Sequence, residues 1–195
     1  KLTIEIIKEL SSDKDFKKLC YAALEKLKVK SIHWDRIIAY HYPDSFKNVF
    51  ECLSNNIFIK LSKRKKLYSN DMSVSETIKR LLLDRLEIFD QFKLNNNNLF
   101  KFLLKPNNLF LSKKLLFKIS DEIWYLAGDK SLDFNYYSKR IILMKIYFSS
   151  MKFWIKDNSI NKIESYKYID NQISMTSKIG KYKYKLKQYF SFLKS

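Results

Sequence analysis

Apolar residues recur at helical spacing along nearly the whole chain, and the pattern divides it into a series of amphipathic segments. Leu2, Ile4, Ile6, Ile7 and Leu10 predict a short first helix that closes at Ser11 and Ser12. Asp15 stands as the N-cap of a second, in which Phe16, Leu19, Cys20, Ala23, Leu24 and Leu27 form an i, i+3, i+4 stripe. A third short segment, SIHWDRIIAYHYP, starts at Ser31. From Ser45 to Leu61 a longer helix is expected, with Phe46, Val49, Phe50, Leu53, Ile57 and Leu61 inward and the basic run Lys63 to Lys66 as its solvated end. Ser73 and Glu76 have the spacing of a capping box. The helix they open turns Ile78, Leu81, Leu82, Arg85, Leu86 and Phe89 inward, so Arg85 must pair or snorkel.

The second half is more apolar. Asn95 to Asn98 reads as a polar loop, and Leu99 to Leu104 as one or two apolar turns stopped by Pro106. Leu115, Leu116, Ile119, Ile123 and Leu126 then define a core-facing stripe. It ends at Gly128, where a helix C-terminus wants a residue tolerant of positive φ. Asp133 is placed to cap the next helix. Phe117 and Trp124, seven residues apart, fall opposite the stripe with Asp121 beside them, which makes that face second-layer core or a binding site. Ile141 to Ile155 is apolar nearly all round but shorter than the roughly 18 to 20 residues of a membrane span, and Lys145, Ser149, Ser150 and Lys152 interrupt it. A buried or dimer-forming helix is expected there, with a partner helix from Ile163 to Ile179.

Composition supports an all-α fold, because two Gly and two Pro leave little for sheets and tight turns. The 195 residues, 46% hydrophobic, can fill a sizeable core. A net charge of +18 points to an anionic partner, nucleic acid or membrane, although Lys, Asn, Ile, Tyr and Phe are over-used together as an AT-rich genome would impose. Cys20 and Cys52 are too few for a disulfide framework and suit a reducing compartment. His33 and His41 each lack a Glu three residues before, so the Glu-x-x-His pairs of a carboxylate di-iron enzyme cannot be built. Two glycines make no phosphate loop. Asp121, Glu122, Asp129 and Asp133 form an acidic group that reads as caps and a partner-facing patch, with no catalytic residue and no metal assigned.

The run DEIWYLAGDKSLDFNYYSKR, followed by a hydrophobic helix and ESYKYIDNQISM, resembles the ubiquinone (coenzyme Q) biosynthesis accessory family founded on the ninth coenzyme Q protein. Asp121, Trp124, Ala127, Gly128, Asp129, Ser131, Asp133, Phe134, Asn135, Tyr137 and Arg140 carry the resemblance, in register. AYHYPDSFKNVF is similar to the close of a TetR-type DNA-binding head, through Tyr40, Tyr42, Pro43, Asp44, Phe46 and Lys47. These resemblances imply a TetR-like homodimer with a degenerate helix-turn-helix head over 1–60, a lipid-binding and dimerisation body over 61–180, and a C-terminal segment over 181–195. They imply no enzymatic activity and no cofactor. The expected ligand is an isoprenoid quinone intermediate or a phospholipid, held among Leu82, Phe89, Leu116, Ile119 and Tyr147. The expected partner is the demethoxyubiquinone hydroxylase, met through Phe117, Asp121, Trp124, Tyr125 and Asp129, with Pro106 in the loop before the Trp-bearing helix. The location implied is the matrix side of the mitochondrial inner membrane in a eukaryote, or the cytoplasmic face of the inner membrane in a bacterium.

The alternative is a TetR-type transcriptional regulator with a hydrophobic ligand pocket. Against it, the segment that would enter the major groove is short, carries Asp35, and offers Arg36 as its one good base reader, so no specific nucleic acid is expected.

KYKYKLKQYFSFLKS, residues 181–195, begins with a strand-like alternation but makes a better helix, with Tyr182, Leu186, Tyr189, Phe190 and Leu193 on one arc and lysines on both flanks. Such a basic amphipathic segment lies in an anionic leaflet. Deleting 181–195 is therefore expected to abolish cosedimentation with anionic liposomes, and unchanged binding would sink this expectation.

Overall fold

The computed structural model describes residues 1–10, 15–92, 94, 96–132 and 134–176, and among these no strand occurs. In chain order the helices are α1 (Leu2–Lys8), α2 (Phe16–Lys26), α3 (Trp34–His41), α4 (Phe46–Lys65), α5 (Val74–Asp90), α6 (Asn96–Leu103), α7 (Leu109–Leu126) and α8 (Phe134–Lys156), followed by α9 over 163–176. The protein is all-α, as its periodicity predicts. α1 to α3 form the head, packed on α4; α4, α5, α7 and α8 pack around the main core. α4 runs through residue 60, the expected end of the head, so head and body share that helix.

The expected stripes of α2, α4 and α5 are largely buried, whereas in α7 only Leu115 and Ile123 are, with Leu116, Ile119 and Leu126 half-buried. In α5 every inner-face residue, Ile78, Leu81, Leu82, Arg85, Leu86 and Phe89, is buried. Burying each of those leucines contributes about 1.5–3 kcal/mol. The Ser73–Glu76 capping box is complete: the Glu76 backbone N–H donates to Ser73 Oγ and the Ser73 backbone N–H to Glu76 Oε2 at 2.8 Å. Asp15 occupies the N-cap of α2 but its side chain makes no capping bond. The Asn tract departs from expectation, because α6 begins at Asn96 and Asn98 Nδ2 donates to the Leu10 carbonyl of the head at 3.2 Å. That long-range bond and the burial of Leu99 draw a polar sequence into a helix that local propensity reads as loop.

The basic end of α4 is not wholly solvated. Arg64 donates to Glu87 at 2.8 Å, while Tyr68 Oη donates to the buried Asp84 at 2.6 Å, tying α4 to α5. α9 joins the same side through a Tyr166–Glu87 hydrogen bond. Before it, Asp157 Oδ2 accepts from the Ser165 backbone and hydroxyl, and Lys162 caps the end of α8 by donating to the Trp154 and Asp157 carbonyls. In the head, Asp35 of α3 is engaged by Tyr21 and Lys17 of α2 at 2.6 and 2.9 Å, and no residue of α3 is buried. α8 buries Leu143, Ile146, Tyr147, Ser150, Met151 and Trp154 but leaves Tyr137, Ile141 and Ile142 exposed, so its second apolar face is open in this single chain. Among the described residues no helix is long and apolar enough to cross a membrane.

Two helix ends adopt left-handed caps. After α7 the Gly128 N–H reaches the Tyr125 carbonyl and the Asp129 N–H the Trp124 carbonyl, with Gly128 at φ +84°. After α2 the same pattern, Lys28 to Glu25 and Val29 to Leu24, puts a lysine at φ +55°. A Cβ on Gly128 would meet nothing within 4 Å, so its requirement is one of backbone angle alone. Gly128→Ala is expected to lower stability by about 1 kcal/mol and Lys28→Gly to raise it by about 0.5 kcal/mol. Chemical denaturation of the two variants checks both signs.

Candidate functional site

The helices of the body do not close completely over one another. Between α4, α5, α6, α7 and α8 lies a cavity of about 90 Å³. That is several times the roughly 10–15 Å³ a single water needs and below the roughly 300–1,000 Å³ of ligand pockets, so a lipid enters only as the surrounding helices part. Phe50, Leu53, Ser54 and Ile57 of α4 form one wall, and Arg85 and Phe89 of α5 another. Leu99, Phe100 and Leu103 of α6 face Ser112, Leu115, Leu116 and Ile119 of α7, and Tyr147, Phe148 and Met151 of α8 close the far side. Phe100 and Phe148 stack across it, centroids 5.3 Å apart. Of the five residues expected to hold lipid, Phe89, Leu116, Ile119 and Tyr147 line this space. Leu82 does not: it lies two turns before Phe89 on α5 and is wholly packed in the core.

Polar side chains on the wall are few. Ser112 donates to the Leu103 carbonyl. Arg85, 0% exposed, donates from Nη1 to Glu122 Oε2 and from Nη2 to Ser54 Oγ, both at 3.0 Å, and its guanidinium carbon lies 5.9 Å from the Tyr147 ring centroid. Arg85 therefore pairs, the first of its two expected fates. Burial pushes the Glu122 carboxyl above its ordinary range, with Arg85 pulling the other way.

Beside the cavity, α7 and α8 make the broadest helix pair, joined through Gly128 and held by one guanidinium. Buried Arg140 donates from Nε to Asp121 Oδ1 at 2.6 Å and from Nη1 to Asp129 Oδ2 at 3.0 Å. Tyr136 stacks under it at 3.4 Å and donates its hydroxyl to Asp121 at 3.0 Å. Lys139 and Ser131 donate to Asp129 at 2.8 and 2.7 Å. Burial opposes ionisation of Asp129, but the bonds from Lys139, Ser131 and Arg140 outweigh it and hold the carboxyl well below the usual carboxylate range. Trp124 donates its indole N–H to the Lys139 carbonyl at 3.2 Å, under the Lys139 ammonium at 5.2 Å.

Residues 110–180 match the family model COQ9. Over this stretch the chain is similar to the COQ9 family. It is 31% identical over 112 residues to the probable ubiquinone biosynthesis protein coq9, mitochondrial, of Dictyostelium discoideum, a match covering 57% of this chain and 36% of that protein. The mitochondrial ubiquinone biosynthesis protein COQ9 of Bos taurus is 33% identical over 81 residues, 42% of this chain and 25% of the relative. That of Schizosaccharomyces pombe is 43% identical over 68 residues, 35% and 27%. The chain thus spans between 25% and 36% of the length of these relatives.

The COQ9 stretch takes in α7 from its second residue, α8 and α9, and hence the whole Arg140 cluster. Its motif is in large part an internal brace. Asp129, expected on a partner-facing patch, has a side chain only 5% exposed and spends its carboxylate on Arg140, Lys139 and Ser131. Trp124, expected on the partner surface, is half-buried, because the first turns of α8 fold over one side of it. Phe117 is likewise half-buried, Asp121 is partly exposed while bonded to Arg140, and Pro106 and Tyr125 are exposed. Asp133, expected as a cap, and Tyr182, Leu186, Tyr189, Phe190 and Leu193 lie outside the described residues. Sequence reasoning took Glu122 only as part of the acidic group and Arg140 only as a residue of the resemblance, and gave Tyr136 no role. The clue available was a second Arg amid apolar helix positions, eleven residues after an Asp in a turn.

Asp129→Ala leaves buried Arg140 with one carboxylate fewer and is expected to cost about 3 kcal/mol. The folded Asp129 pKa is depressed, so its contribution is present above the unfolded value near 3.9 and is lost as pH falls through the folded one. Stability measured against pH should accordingly fall less steeply on the acid side in Asp129→Asn than in the parent.

Proposed function

We propose that this protein serves ubiquinone biosynthesis as a lipid-binding accessory protein, not as an enzyme. The observation that carries this reading is the apolar cavity walled by α7 and α8, the helices of the COQ9 stretch. The chain holds an isoprenoid quinone intermediate there and presents it to the demethoxyubiquinone hydroxylase at the membrane. The relatives are named as mitochondrial ubiquinone biosynthesis proteins, which supports a mitochondrial location for a eukaryotic host; the matrix side of the inner membrane is part of the proposal. The open face of α8, with Tyr137, Ile141 and Ile142, suits self-association as a dimer.

Partner docking is assigned to the surface where Tyr125 stands 70% exposed next to half-buried Trp124 and Phe117, rimmed by Asp121 and Lys118. Aromatic side chains rimmed by charge are what interface hot spots are built from, since docking removes their apolar area from water. Trp124 also supports α8, so its replacement perturbs fold and surface together. Tyr125 separates the two.

Mass spectrometry of lipids copurifying with the protein is expected to find an isoprenoid quinone or its precursor; a cavity recovered with no lipid under several extractions would overturn the reading. Tyr125→Lys is expected to leave the melting temperature within the scatter of a surface change, under about 0.5 kcal/mol, and to weaken hydroxylase binding tenfold or more. Unchanged binding in a pull-down titration would remove the docking surface from that face.

A further inference from the structure

We propose that Arg85 is the headgroup anchor of the cavity, and that the cavity selects lipids whose head is uncharged and offers an acceptor oxygen, such as a carbonyl or ether. This rests on reading the cavity as a lipid site and specifies its ligand.

Three buried side-chain polar atoms among the described residues have no hydrogen-bond partner: Arg85 Nε, Ser120 Oγ and Ser150 Oγ. Only Arg85 lines the cavity. A buried N–H left unpaired costs free energy, more so on a charged group, and such atoms are rare. The two terminal nitrogens of this guanidinium are held on either side, by Glu122 of α7 and Ser54 of α4. Of the guanidinium's five N–H groups, that on Nε sits on a nitrogen with no partner, in a residue that lines an otherwise apolar space. The Nε–H takes one acceptor oxygen.

The charge of the head follows from Glu122, whose side chain is 10% exposed and sits 3.0 Å from Nη1. The pair is neutral as a unit. An anionic head, carboxylate or phosphate, would bring a second negative charge beside Glu122 into a low-dielectric site without a second cation to meet it, a cost of several kcal/mol by the usual desolvation penalty. A neutral carbonyl satisfies the spare N–H at no such cost. The apolar remainder, Phe50, Leu53, Leu103, Leu116, Phe148 and Met151, takes the tail.

The test compares four ligands by equilibrium dialysis with the full chain: a benzoquinone bearing a ten-carbon isoprenoid tail, a monoacylglycerol of similar length, an isoprenoid hydrocarbon without a head, and a fatty acid. The wild type is expected to bind the quinone or the monoacylglycerol about tenfold more tightly than the hydrocarbon, as one hydrogen bond to a charged donor gives, and more tightly than the fatty acid. Which of the two neutral heads leads identifies the source of the oxygen. In Arg85→Met/Glu122→Gln, which removes the buried charges together, the advantage over hydrocarbon is expected to shrink to about twofold or less while hydrocarbon binding persists. In Glu122→Gln alone the guanidinium is no longer neutralised, and the fatty acid is expected to gain about tenfold. Equal binding of headed and headless lipids by the wild type would overturn the anchor while leaving the lipid cavity standing. A fatty-acid preference in the wild type would overturn the neutral head. Failure of all four ligands to bind would overturn the lipid reading itself. The wild-type comparison decides the matter even if a variant does not fold.

Discussion

Everything in the body of this protein depends on how α8 returns along α7, and a single buried guanidinium fixes that return. Arg140 reaches back to Asp121 on the last turns of α7 and to Asp129 just beyond its cap. A buried arginine deprived of its carboxylates costs several kcal/mol, so alternative dockings of the two helices that separate these groups are disfavoured. Hydrophobic burial alone is not directional and tolerates such slippage. Gly128 acts on the same joint by a different means, letting the backbone reverse hand so that Asp129 arrives where Arg140 needs it.

The cavity is a consequence of that geometry. With α8 held against α7, Tyr147, Phe148 and Met151 face Leu115, Leu116 and Ile119 across a gap that α6 only partly roofs. Inside it a second arginine, Arg85, repeats the logic of the first: a buried cation on one helix, answered by a carboxylate on another, with an aromatic ring nearby. The two differ in completeness. Arg140 spends Nε and Nη1 on two carboxylates and the Tyr136 carbonyl, whereas Arg85, which lines the cavity, keeps Nε without a partner.

The division between brace and surface changes how the COQ9 motif is understood. Asp129, Ser131 and Arg140, written in the sequence like a charged patch, are turned on one another, and the motif's outward contribution falls to Tyr125 and the uncovered edges of Trp124 and Phe117. A residue pattern shared with relatives over 110–180 is therefore compatible with two demands at once, a rigid hairpin and a face for docking.

The sequence by itself determined the all-α class, the inward stripes of α2, α4 and α5, the capping box at Ser73 and the left-handed cap at Gly128. These rest on periodicity and on backbone angles, which are local and leave their mark within one or two turns. The tertiary structure alone decided that Leu82 is core, that Asn96 begins a helix, that Trp124 is half covered and that Asp129 faces inward. Each of these turns on a partner far along the chain or on another helix, as with Asn98 and Leu10, Trp124 and Lys139, and Asp129 and Arg140. A charged or aromatic side chain reads the same in sequence whether water or a neighbouring helix lies beyond it, and only the packing of that neighbour chooses between them.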